Sequence, residues 1–136
     1  QAREVPVIED KRIQEIDFGE LEGVICFNDA HEYLNPEMEK FFTVPWKFKR
    51  PKHGENIADI LARTKDFWDE KIHDPSLLNK TILIASHGCA VRALLQNVYQ
   101  DPENFWHGCV PPNCSVNVVE VKDGQPVLLE EDKVYA

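Results

Sequence analysis

A chain of 136 residues, 43% hydrophobic and 29% charged, has the length and composition of one globular domain. Its net charge of −9 speaks against the phosphate-neutralising electrostatics of general nucleic-acid binding, and its longest apolar run, within residues 81–85, is far short of the ~18 residues of a membrane span. The four cysteines, Cys26, Cys89, Cys109 and Cys114, form no CxxC pair, and no apolar core follows the charged start at residues 1–6, so free thiols and a cytoplasmic location are expected, with no metal and no cofactor.

In chain order, residues 5–8 predict a short strand, and residues 12–23, with Gly19 and Gly23 at turns, read as loop. Asn35 before Pro36 opens a helix, Asn35 as N-cap and Pro36 at the first helical position, where a missing N–H costs nothing. Residues 43–53 hold Lys47, Lys49, Arg50 and Lys52 with no acid, interleaved with Trp46 and Phe48, and Pro45 and Pro51 make the segment a loop. Ile57, Ile60, Leu61, Thr64, Phe67 and Trp68 recur at helical spacing, behind Asn56 as N-cap with Asp59 as its reciprocal partner.

Residues 81–86 form a short continuous apolar run that suits a strand buried on both faces. Residues 89–99 are again helical, with Val91, Leu94, Leu95 and Val98 on one face, and residues 115–121 and 126–129 predict strands paired around Asp123-Gly124. Helices alternating with buried strands indicate a single α/β domain over residues 1–136, a sandwich with a mostly parallel sheet.

Three features carry chemistry. His87 follows the apolar run and precedes a helix, so it falls at the C-terminal edge of the sheet, where open α/β folds bind ligands and helix N–H groups attract anions. Gly88 lets the backbone turn there. On position alone, a structural histidine in a strand-to-helix turn fits equally well. Glu15 alone reads as a solvated loop acid, and Gly54-Glu55-Asn56 with Arg63 alone reads as a helix start.

In order, the pattern E-x-x-x-G-x-x-E-G from Glu15, then Gly54-Glu55-Asn56 opening a helix that carries Arg63, then Ser86-His87-Gly88 after an apolar run, resembles the histidine phosphatase (phosphoglycerate mutase-like) superfamily. Pro112-Asn113-Cys114-Ser115-Val116 resembles that family's last core segment, so the likeness runs over residues 13–121. It implies a three-layer α/β sandwich and an enzyme that hydrolyses or isomerises small phosphomonoesters through a phosphohistidine, without metal or cofactor. By position, it implies that His87 stabilises the transferring phosphoryl group and that Glu15 protonates the leaving oxygen, a role that needs a proton held near neutral pH. It further implies phosphate binding at Gly88 and Cys89. Residues Trp46, Lys47, Lys49 and Arg50 would then belong to a loop that covers the site and helps choose the substrate, with a plain solvated loop as the alternative.

One element of the pattern is missing. The family's nucleophile is the histidine of an Arg-His-Gly triplet after a central first strand, and that triplet occurs nowhere in the chain. Upstream of the Glu15 pattern only Arg3 and Arg12 could supply the pocket's second arginine. The expectation is therefore the C-terminal part of a longer histidine phosphatase, inactive alone. The partners expected are a small phosphorylated substrate and a missing N-terminal segment or second chain that completes the fold; neither nucleic acid nor membrane is expected. A truncated, non-catalytic paralogue that binds a ligand or partner is the alternative. Two rivals from other classes are a metal module built on His87, Cys89, His107, Cys109 and Cys114, and a single-strand grip by the basic loop.

Overall fold

The structure, a computed structural model, describes residues 4–135. Helix α1, Pro36–Thr43, starts where Asn35 Oδ1 accepts from the Glu37 and Met38 N–H groups at 2.9 and 3.2 Å. It buries Met38 and Phe41. Helix α2, Ile57–His73, opens with a complete capping box: the Asp59 N–H donates to Asn56 Oδ1 at 3.0 Å, and the Asn56 N–H donates to Asp59 Oδ2 at 2.9 Å. Its predicted stripe is the buried one, through Ile57, Ile60, Thr64 and Phe67, and the Thr64 hydroxyl donates back to the Ile60 carbonyl at 2.7 Å.

Helix α3 runs Gly88–Leu95, shorter than the predicted 89–99, because the chain tightens after Gln96 and the Val98 and Tyr99 N–H groups both return to the Leu95 carbonyl. The hairpin of β1, Ser115–Lys122, and β2, Gln125–Val134, closes at the predicted turn. Asp123 and Gly124 both have positive φ (52° and 73°), as a two-residue turn matched to the strand twist requires.

Helix α2 packs on α3, and the core gathers between them and α1: Ile16, Phe41, Phe48, Ile57, Ile60, Cys89, Ala90, Ala93, Phe105 and Trp106 form one buried cluster. Phe41 meets Phe48 and Trp106 edge to face, each at 5.2 Å between ring centres. The basic segment is anchored into this core by Phe48, Pro45 and Pro51, with a single 3-10 turn at Pro45–Lys47.

Two predicted strands require correction. Residues 5–8 and 81–86 form no ladder, and Val7 and Leu83 are each 89% exposed. A strand exists only through its neighbour's hydrogen bonds, and among the described residues neither segment joins a ladder. The chain is thus α/β, three helices with one sheet among the described residues, and that sheet is the antiparallel hairpin.

Candidate active site

The site is assembled on the irregular segment that carries Glu15. This segment runs between single 3-10 turns at Lys11–Ile13 and Gly19–Leu21, so its backbone groups need partners from elsewhere. Ile16 sinks into the core beside Cys89 and Ala90. The Ser86 hydroxyl donates to the Ile13 carbonyl at 2.6 Å, drawing the start of α3 onto the segment. On the other side Gly19 lies against the loop before α2: its φ is +51°, and a Cβ there would stand 2.2 Å from the Lys52 carbonyl oxygen. Gly54 answers it, since a Cβ there would come within 2.9 Å of the Gly19 nitrogen. The paired glycines of the two motifs are thus explained by one close backbone crossing.

The Glu15 carboxylate reaches the N-terminus of α3. Oε2 accepts from the Cys89 N–H at 3.0 Å, and Oε1 accepts from the Ala90 N–H at 3.0 Å and from its neighbour Ile16 at 2.9 Å. These are among the N–H groups that α3 cannot satisfy internally, and a carboxylate there also meets the positive end of the helix dipole. His87 occupies the N-cap position of the same helix, with an exposed ring and no capping bond of its own. Residues 74 apart in sequence are therefore brought onto one helix end: the acid, the histidine and the Gly88-Cys89 peptides. The Cys89 N–H, expected to face phosphate, serves Glu15 in this structure. Burial, followed by the Glu15 charge, pushes the Cys89 thiol far above the usual range, so the side chain is a neutral core group rather than a nucleophile.

A hollow of about 270 Å³ opens beside Glu15, lined by Lys11, Gln14, Glu15, Asp17, His53, Gly54, Glu55 and Arg63. Trp46, Lys47, Lys49 and Arg50 do not line it. Trp46 Nε1 donates to the Glu103 carbonyl at 2.8 Å, the Lys49 N–H donates to Glu37 Oε2, and the Arg50 guanidinium pairs with Asp59. Arg12 is taken as well, by Asp10, Asp66 and Glu70, and it holds Asp10 down at about 2 through their hydrogen bond; Arg3 lies outside the described residues.

His107 and the remaining cysteines are not gathered into a ligand set. The His107 ring stacks on Tyr99, and its Nδ1 lies 3.0 Å from Glu131 Oε1. Among the described residues no three His, Cys, Asp or Glu side chains converge as metal ligands.

Sequence reasoning assigned no role to the pair Glu55 and Arg63, nor to Lys11, Gln14, Asp17 and His53 at the hollow. A signal for the pair existed: Glu55 and Arg63 belong to one motif, the acid just before the N-cap Asn56 and the arginine on helix α2. No comparable signal marks the other four, which meet only through the loop crossing at Gly19 and Gly54.

Comparison with known proteins places this geometry in context. The family model described as "Histidine phosphatase superfamily (branch 1)" matches residues 1–132. The chain is similar to 2,3-bisphosphoglycerate-dependent phosphoglycerate mutase 2 of Gloeobacter violaceus, with 31% identity over 93% of this chain and 52% of that protein. It is similar to phosphoserine phosphatase 1 of Hydrogenobacter thermophilus, with 28% identity over 96% of this chain and 60% of that protein. A 2,3-bisphosphoglycerate-dependent phosphoglycerate mutase of Neisseria meningitidis shares 25% identity over 94% of this chain and 62% of its own length. The chain therefore spans between half and two thirds of the length of these relatives.

Proposed function

The chain belongs to the histidine phosphatase superfamily, and on that premise we propose that the complete protein is a phosphoryl-transfer enzyme acting on small phosphomonoesters, with Glu15 and His87 in its active site. Relatives named as mutases and as a phosphatase indicate phosphatase or phosphomutase chemistry. The observation that supports the site is the Glu15 carboxylate seated on the helix end that directly follows His87.

In this reading the phosphoryl group rests between the His87 ring and the Gly88 peptide, next to the Cys89 peptide whose N–H is held by Glu15. His87 donates a hydrogen bond to a phosphoryl oxygen as charge grows there, and helix dipole and peptide N–H groups support the same charge. The bond from phosphorus to the ester oxygen breaks while phosphorus bonds to a nucleophilic histidine, which we assign to a part of the complete protein other than these 136 residues. The leaving oxygen takes its proton from the Glu15 carboxyl, and the same carboxylate later accepts a proton from the attacking water or hydroxyl. We assign the basic segment with Trp46, Lys47, Lys49 and Arg50, which does not line the hollow beside Glu15, to a specificity loop that meets the substrate only in the complete protein. The exposed segments at 5–8 and 81–86 become strands of a mostly parallel, three-layered sheet once an N-terminal segment or a second chain pairs with them.

The test is phosphoenzyme trapping with a radiolabelled phosphomonoester, run beside steady-state hydrolysis in EDTA. The complete protein is expected to turn over in EDTA and to carry acid-labile, base-stable phosphate, while the 136-residue chain alone carries none. Activity that vanishes in EDTA and returns with Mg²⁺ would overturn the proposal. A complete protein that binds a phosphomonoester without turnover would establish the non-catalytic reading instead.

A further inference from the structure

Arg63 makes hydrogen bonds that neither the family resemblance nor the proposed chemistry explains. Its Nε donates to Glu55 Oε1 at 2.7 Å, and its Nη2 donates to Glu55 Oε2 at 2.9 Å. The same guanidinium reaches across to the irregular segment: Nη1 donates to the carbonyls of Arg12 and Gln14 at 2.9 and 2.8 Å, and Nη2 donates to the carbonyl of Glu15 itself at 3.0 Å. Every one of the five N–H donors an arginine has is used in these five bonds. Glu55 completes the grip from the other side, since its Oε2 accepts from the Asp17 N–H at 3.0 Å and its own N–H donates to the Asp17 carbonyl at 2.7 Å.

The segment has no ladder or helix to hold it, so these contacts stand where secondary structure would. They fix the backbone on both sides of Glu15, at residues 14, 15 and 17, to a rigid helix. We propose that Arg63, held by Glu55, is a positioning residue that sets the placement of the Glu15 carboxyl against His87 and the leaving oxygen. This rests on the reading of Glu15 as the proton donor. A lysine could not substitute, because its three donors radiate from one nitrogen and cannot reach three carbonyls and a carboxylate in one plane. The pair is set for stiffness: it is roughly four-fifths buried, and its acid is kept ionised chiefly by the Arg63 hydrogen bond.

The role predicts a signature that loss of fold does not give. A proton donor matters when the leaving group is an alkoxide and hardly matters when it is a nitrophenolate, which departs without one. The complete protein is therefore assayed on an alkyl phosphate, phosphoserine, and on p-nitrophenyl phosphate, using the same preparation of each variant. Arg63→Gln and Arg63→Lys are expected to lower kcat/KM on phosphoserine about 10²-fold, the scale of a 1 Å misplacement, and to leave kcat/KM on the nitrophenyl ester within a few-fold of the parent; kcat/KM covers only the steps through departure of the leaving group, so the later attack of water, common to both esters, does not enter. Glu55→Gln should move the same ratio in the same direction by less. A smaller folded fraction lowers both rates equally and cancels from their ratio. Should Arg63→Gln fail to fold, Glu55→Gln, which leaves the arginine in place, carries the test.

Equal loss on both substrates, or no loss, overturns the positioning role. Glu15→Gln separates this from the parent reading. If it shows the alkyl-selective loss and the Arg63 variants do not, the positioning inference alone fails. If Glu15→Gln itself is not selective, the proton-donor reading fails with it.

Discussion

At the scale of single residues, His87 and Arg92 define opposite extremes. The His87 ring is exposed and makes no bond that holds the fold, so His87→Ala in the complete protein should leave stability near that of the parent. Its proposed bond strengthens as phosphoryl charge develops, so kcat should fall about 10²- to 10³-fold with little change in KM. Steady-state kinetics checks this, and a folded variant with near-normal kcat returns His87 to the structural reading. Arg92 is 0% exposed, inside a helix whose sequence reads as apolar. Its guanidinium donates to Asp132 Oδ2 at 2.5 Å, to the Cys109 carbonyl at 2.8 Å and to the Tyr99 hydroxyl at 2.9 Å, tying α3 to β2 and to the loop between them. Arg92→Met keeps apolar bulk but strands the Asp132 carboxylate and the Cys109 carbonyl, while the Tyr99 hydroxyl keeps its bond to Glu131. The expected cost is about 3 kcal/mol, at the lower end for a broken buried pair because Asp132 keeps some solvent. Urea unfolding of the two proteins measures it.

At the scale of elements, α2 is the member against which the others are placed. Its capping box closes two N-terminal N–H groups at once, so Asn56→Ala should cost about 1 kcal/mol and shift the urea midpoint with no change in slope. The loss should also loosen the Gly54-Glu55 approach that helps line the hollow. The Glu55–Arg63 bridge gives a pH dependence of defined sign. The Arg63 hydrogen bond holds the Glu55 carboxyl below its ordinary value of 4.5, so on acidification the unfolded chain takes up this proton first. The bridge's contribution to stability is thus complete above pH 4.5 and is lost as pH falls through the lower value of the folded state. Thermal melts of Glu55→Gln and its parent should differ above pH 4.5 and converge at lower pH; a difference that persists unchanged into acid contradicts the assignment.

At the scale of the molecule, the exposed segments at 5–8 and 81–86 are expected to govern association in solution. Val7, Ile8, Leu83 and their neighbours present apolar side chains together with unpaired backbone groups, which is the surface on which strands add. The 136-residue chain on its own should associate with rising concentration, visible by light scattering, and Leu83→Lys should suppress this at little cost to folding because Leu83 is 89% exposed. Association unchanged by Leu83→Lys would place the adhesive surface elsewhere. No helix among the described residues is long and apolar enough to cross a membrane.

What the sequence determined by itself were the features whose physics is local. Asn35 with Pro36, Asn56 with Asp59, the stripe along α2 and the Asp123-Gly124 turn each depend on residues within a few positions, and each is where the sequence puts it. The motif order was legible for the same reason, each motif being a short string. Residues 81–86 show the limit: their composition is that of a buried strand, but a strand is a relation between two segments, and nothing among the described residues pairs with them. Arg92 shows another, since burying a guanidinium depends on Asp132 and Tyr99 arriving from elsewhere. The site itself is of this second kind. Glu15 reads alone as a solvated acid, and it becomes the cap of α3 only because Ile16, Ser86, Gly19, Gly54 and Arg63 together draw its loop onto that helix. Contacts between residues dozens of positions apart are set by packing, and packing is decided in three dimensions.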